Sequence, residues 1–375
     1  MHRTLSLSLS LFVSALLLAA GPVEPSLAAP SVVGVHVDNP HWQTREQQDA
    51  MLRDMHKAGV RSMRVPIVST PDSGFQNSID FVRRAWKLGI RTLANMPPQF
   101  ADDVPRRPAL PGSGADWPEP PMSLARPELM RLRFGLVLAE FERSGIELDG
   151  IEVGNEINWP PFNGDFALPG RGRIFDLKDL AEDPQGQRLA AGLDRYLRSV
   201  EVVKELRDAS RLNRRTPIIL AGLVATSPTN PTPGSPLDAI DLRATIRYLR
   251  ARGLDQLVDA YGVHTYVGPG AGVDERRRHL AVEVFPECAP AGSPEGKPCW
   301  LTEWGIPLPP VCPATGDSER AAAARSYLQD FARYAEAGRL QARYWYDWKL
   351  DNVPHMTAIH RCGDLTETGR VVAVP

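Results

Sequence analysis

Cysteine is scarce and unevenly placed. The 375 residues hold four, Cys288, Cys299, Cys312 and Cys362, and none precedes position 288. Their spacing matches no compact zinc pattern, which sets aside a structural zinc module. No cysteine follows the apolar start of the chain, so a lipid anchor has no visible attachment point. An excess of one charge is also missing. Lys and Arg total 43 against 45 Asp and Glu, a formal net charge of −2, which gives no case for a nucleic-acid partner. Past Ala20 no apolar run is long enough to span a bilayer, which takes about 20 residues. There is no internal repeat, low-complexity tract or interior linker. A Gly-rich phosphate turn is absent from VVGVHVDNPHW at Val32–Trp42. That absence argues against an open doubly wound nucleotide-binding sheet.

What is present is an ordinary globular composition, 43% hydrophobic and 23% charged, able to bury a sizeable core. Arg3 precedes an apolar run from Leu5 to Ala20 broken only by Ser, and a small-residue stretch ends in Ser26–Leu27–Ala28–Ala29. This is the layout of a secretory signal, with cleavage expected after Ala29 or near Ala20. A retained membrane anchor is the alternative, disfavoured by the shortness of the run. Residues 1–29 are therefore read as a signal peptide and 30–375 as one domain, secreted or periplasmic. Export makes disulfides expected. Of the three possible pairings, Cys288–Cys299 would close a short loop and Cys312–Cys362 would tie two late loops together.

Strand-like apolar runs alternate with helical segments, the pattern of a parallel sheet clad in helices. Strands are expected at Val32–Val37, Ser62–Val68, Ile90–Met96, Leu148–Val153, Pro217–Ala225, Val258–Tyr266, Cys299–Trp304 and Ala342–Trp348. Helices are expected at Arg45–Ala58, Ile79–Leu88, Pro127–Ser144, Gln187–Ala209, Asp241–Arg252, Asp274–Val284 and Ser318–Ala337, with room for a short last one. Eight strands with helices between them predict a single (β/α)8 barrel. Its long loops are Pro97–Pro120, Asn158–Pro184 and Gly268–Pro298.

Functional groups of such a barrel collect at the carboxyl ends of its strands. The fourth strand runs out in Ile151–Glu152–Val153–Gly154–Asn155–Glu156, and the seventh in Leu301–Thr302–Glu303–Trp304–Gly305. Strands four and seven face each other across the mouth, so Glu156 and Glu303 can converge on one ligand. Glycosidic cleavage needs such a pair, one carboxyl protonated and one ionised, about 5–5.5 Å apart for retention and wider for inversion. Glu152 lies deeper and reads as a buried structural partner.

GNEINW at Gly154–Trp159 and LTEWG at Leu301–Gly305 resemble the signature of the clan A glycoside hydrolases, of a family 5 or family 39 kind. The resemblance implies a retaining double displacement, with Glu156 as acid/base, Glu303 as nucleophile and Asn155 on the sugar 2-hydroxyl. MRVPIV at Met63–Val68 is similar to the second strand of family 5, where the arginine matching Arg64 keeps the nucleophile ionised. A neighbouring cation lowers a carboxyl pKa. VHTY at Val263–Tyr266 resembles the clan's sixth strand and would bring His264 and Tyr266 to Glu303. Trp304, Trp345 and Trp348 are candidate platforms for a sugar's apolar face. His36, Asp38 and Asn95, at the ends of the first and third strands, are candidate sugar hydrogen-bond partners. The resemblance implies a carbohydrate partner, no cofactor and no metal. A glycan-binding barrel without turnover and a metal-assisted hydrolase are the competing readings; the second lacks a convincing His/Asp cluster. The sequence carries no signal for oligomeric state, sugar identity or linkage.

Overall fold

The computed structural model describes residues 32–69, 73–226, 235–266, 271–308, 316–349 and 357–373. The signal-like segment and Cys312 lie outside the described residues, and with Cys312 lies the expected Cys312–Cys362 pairing. Eight parallel strands close into a barrel: β1 (Val32–His36), β2 (Ser62–Pro66), β3 (Arg91–Met96), β4 (Gly150–Asn155), β5 (Ile218–Val224), β6 (Ala260–Tyr266), β7 (Cys299–Gly305) and β8 (Leu340–Trp345). Each pairs with its neighbours in chain order, and β8 closes on β1 through Val32↔Ala342 and Val35↔Trp345.

The outer layer comprises α1 (Arg45–Lys57), α2 (Ser73–Lys87), α3 (Pro127–Arg143), α4 (Leu177–Glu182), α5 (Pro184–Ala209), α6 (Leu242–Arg250), α7 (Val273–His279), α8 (Asp317–Glu336) and α9 (Glu367–Val372). Their starts are written in local chemistry. Thr44 and Gln47 form a capping box at α1, whose Met51, Leu52 and Met55 face the core. Asp183 accepts from the Gln185 and Gly186 amides, and Pro184 opens α5. That cap starts α5 three residues before the expected Gln187. α4 occupies what the sequence suggested was loop, held by an Asp176–Asp179 capping box. α2 likewise begins at Ser73 rather than Ile79. The Cys288–Cys299 disulfide forms, with Cα atoms 5.5 Å apart.

Two apolar cores result. Leu93, Ile219, Ala260, Trp300, Ala342 and Tyr344 fill the lower barrel interior. A larger cluster lies between strands and helices. Above the inner cluster the barrel's filling turns polar: Arg64, Asn95, Glu152, His264, Thr302 and Glu303 are all buried. That upper layer is where the site is built.

Candidate active site

Two backbone irregularities aim the carboxylates. Between Leu301 and Trp304, β7 carries one residue more than either neighbour: Val263 and His264 pair with Leu301 and Glu303, and Arg343 and Trp345 pair with Leu301 and Trp304. This bulge reverses the alternation of a strand. Trp300 points into the barrel, and the extra residue Thr302 lets Glu303 point inward as well, leaving Trp304 on the outer face. At the end of β4, Gly154 takes φ 87° and Glu156 φ 42°, both left-handed, the second uncommon outside glycine. The turn is held by Asn95 Nδ2 donating to Gly154 O at 2.6 Å and by the Glu156 amide donating to Gly222 O at 2.8 Å. From the outer layer, the Tyr196 hydroxyl of α5 donates to Val153 O at 2.7 Å and accepts from the Ala221 amide at 3.1 Å, filling the ladder between β4 and β5.

Arg64 organises the charges. Its Nε donates to Glu152 Oε2 and its Nη1 to Glu303 Oε1, each at 2.5 Å, and its Nη2 to Asn155 Oδ1 at 2.7 Å. His36 Nδ1 lies 3.0 Å from Nη1. Asn95 also donates to Glu152, at 2.9 Å. Tyr266 donates its phenol proton to Glu303 Oε2. His264 stands between the acids, its Nδ1 2.8 Å from Glu156 Oε1 and 3.6 Å from Glu303 Oε2, its Nε2 3.1 Å from Thr302 Oγ1. The ring fits because residue 222 has no side chain: a Cβ there would lie 1.9 Å from His264 Nε2. Ligating atoms of Glu156, His264 and Glu303 all lie within 4.8 Å of one another.

These contacts drive the acidities apart. Burial alone would raise Glu303, but His264 and Arg64 outweigh it and hold its carboxyl down to about 2. Burial raises Glu156, reinforced by the charge on Glu303 and opposed by His264. Burial lowers His264 while both glutamates raise it, and the net direction is upward. The same three side chains have the spacing of a small metal site. With Arg64 and Tyr266 donating to the two Glu303 oxygens and His264 bonded to Glu156, however, these groups are matched to one another rather than to a cation.

A cavity of about 830 Å³ opens over this layer. Glu156, Glu303, Arg64, Asn155, Tyr266, His36, Asp38 and Asn95 all line it, and His264 is buried between the two glutamates. The tryptophans do not line it. Trp304 and Trp345 pack edge to face on the outer side of the barrel, with Trp304 also against Phe331 of α8. Trp348 lies past the end of β8, buried and stacked on His360. The aromatic wall is instead Tyr346, which stacks on His36 with centroids 4.8 Å apart and meets Tyr266 edge to face. The sequence held a signal for this. Tyr344 faces the interior, so Tyr346, two residues on, shares its side and Trp345 does not.

No family model matches the sequence, and no curated protein sequence does. Solved structures do match in fold. A fungal β-1,4-galactanase superposes with a TM-score of 0.54 at 15% identity, covering 91% of this chain and 93% of the other. The catalytic domain of the major endoglucanase from Xanthomonas campestris gives 0.52 at 11% identity, over 92% and 93%. The catalytic domain of family 30 xylanase C from Talaromyces cellulolyticus gives 0.51 at 12%, over 94% and 76%. The likeness to these glycoside hydrolases is one of fold, a (β/α)8 barrel.

Proposed function

We propose that this protein is an exported, retaining glycoside hydrolase that cleaves β-linked oligo- or polysaccharides through a covalent glycosyl-enzyme. The observation that carries the reading is the convergence of two carboxyls of opposed acidity. One oxygen of Glu156 and one of Glu303 come within 4.8 Å, a spacing nearer the carboxyl separation of about 5–5.5 Å that retention uses than the about 6.5–9.5 Å of inversion. In this reading the ionised Glu303 attacks the anomeric carbon while Glu156 gives its proton to the departing glycosidic oxygen. Glu156, now a carboxylate, then takes a proton from the water that displaces Glu303 and restores both residues. Arg64 and Tyr266 hold the nucleophile in line and ionised. The amide oxygen of Asn155 is engaged by Arg64, which leaves its NH2 for a sugar hydroxyl. The apolar amino-terminal run and the Cys288–Cys299 disulfide support export. Among the described residues no helix is long and apolar enough to cross a membrane.

The test uses aryl β-glycosides and azide. Glu303→Gly should yield a glycosyl azide of inverted configuration, and Glu156→Ala one of retained configuration. The reverse pattern would exchange the two roles, and undiminished turnover in both variants would end the mechanism.

A further inference from the structure

Away from the catalytic layer, one wall of the cavity comes from the β3–α3 connection and from α3. Its apolar part is Pro97, Pro98 and Phe100, with Phe162 on the lip of the neighbouring loop. These are faces against which the C–H side of a sugar ring can lie. Its polar part is mostly cationic: Arg106 and Arg133 against a single acid, Asp102.

Neither arginine has a buried acidic partner. Arg133 is anchored through Nη1 to Gln99 Oε1 at 3.1 Å and Phe100 O at 3.4 Å. Its ion-pair partner, Asp102 at 3.1 Å, has a side chain 93% exposed, and such a pair is weak and easily displaced. Arg106 makes one long bond, Nη1 to Pro118 O at 3.4 Å. Behind this wall sits a third guanidinium. Arg107 donates to Pro160 O at 2.9 Å, but its Nε and Nη1 are buried with no partner. The nearby Glu119 balances this charge poorly, because burial pushes its carboxyl up to about 7 against the pull of Arg106 and Arg107. Three arginines thus stand against one exposed aspartate and one glutamate whose carboxyl burial has raised.

We infer that this wall receives an anionic substituent of the glycan, a uronate carboxylate or a sulfate ester, gripped by Arg106 and Arg133. The inference rests on the glycosidase reading for its sugar. Planar guanidinium forks suit such oxyanions better than they suit neutral hydroxyls. Phe100 and Phe162 provide the apolar faces for the ring that carries the charge.

The experiment compares kcat/KM for matched oligosaccharides that are neutral, uronate-bearing or sulfated, in the wild type and in Arg106→Gln, Arg133→Gln and the double variant. The acidic-to-neutral ratio should fall about tenfold or more for each arginine removed, as expected for a lost charge-assisted bond. The wild-type preference should shrink as salt is raised. Whether uronate or sulfate shows the larger ratio identifies the source of the charge. Arg133 also holds the loop at Gln99, so Arg106→Gln, which loses only one long backbone bond, is the decisive variant. A ratio that stays constant in Arg106→Gln and in the double variant, or a wild type that prefers the neutral glycan, overturns the inference. Calorimetry on the same proteins separates the two readings. Uronate or sulfate oligosaccharide binding that disappears with the arginines, without turnover of any glycan, supports this site and defeats the hydrolase. Turnover with no such binding difference does the opposite.

Discussion

A methyl group at residue 222 should disable the proton donor without touching it. The added Cβ would stand 1.9 Å from His264 Nε2, 2.4 Å from Cδ2 and 2.6 Å from Cε1. Ordinary carbon contacts need about 3.5 Å, so the ring must retreat by roughly 1.5 Å. That retreat breaks the bonds to Glu156 at 2.8 Å and Thr302 at 3.1 Å. Two lost bonds at about 1 kcal/mol each, with overpacking of about 1–3 kcal/mol, predict a stability loss of about 3–5 kcal/mol for Gly222→Ala. The kinetic effect should depend on the leaving group. A displacement of about 1 Å in a catalytic array can cost about a hundredfold, and that loss should fall on substrates whose departure needs the Glu156 proton. The assay is kcat/KM for an unactivated oligosaccharide and for a dinitrophenyl glycoside, with urea unfolding on the same preparations. The first substrate should slow about a hundredfold and the second less than about tenfold, since only the former relies on general-acid help. Equal losses on both substrates, or wild-type rates on both, would refute the assignment of His264 as the residue that positions Glu156.

Three further outcomes follow from the charges and the cross-link. Activity requires Glu303 ionised and Glu156 protonated, so the acid limb of the pH profile lies far down and the alkaline limb above the ordinary carboxylate range. The positive charge of His264 lowers both glutamates. His264→Gln should therefore move both limbs to higher pH, and a profile with fixed limbs would count against the coupling. Glu303's depressed pKa adds stability above its unfolded value, and this is lost as the pH falls towards about 2. The Cys288–Cys299 bond closes a loop with a sequence separation of 11. Replacing both cysteines with alanine should cost about 2–3 kcal/mol in denaturant unfolding; an unchanged midpoint would show that the loop is already fixed by packing.

Much of the scaffold was legible because hydrophobic runs, glycine stops and strand ends repeat in step with the barrel. Arg64, Asn155, Glu156, His264 and Glu303 could be placed on one rim from their positions at strand ends, and Glu152 beneath them; one cavity is lined by Arg64, Asn155, Glu156 and Glu303, with His264 and Glu152 buried against it. The tryptophans were misread for a definable reason. Glu303 and Trp304 are neighbours on a strand and cannot both face inward, and the bulge at Thr302 that decides between them leaves no mark in composition. The end of β8 was drawn three residues too far, which put Trp348 on the strand, and Tyr346 was passed over although it shares the side of Tyr344. α4 is polar and six residues long, so its only signal was the Asp176–Asp179 spacing. Arg106 and Arg133 come together through the path of a long loop, and no local pattern encodes that path.

The phenol that Tyr196 lends to the seam between β4 and β5 makes the acid's seat partly the property of an outside helix. Any change that tilts α5 pulls on Val153, and Val153 lies three residues ahead of Glu156. Variants on the buried face of α5, remote from any sugar, should therefore alter turnover before they alter affinity. A search for sturdier forms of this protein would do well to leave that face alone.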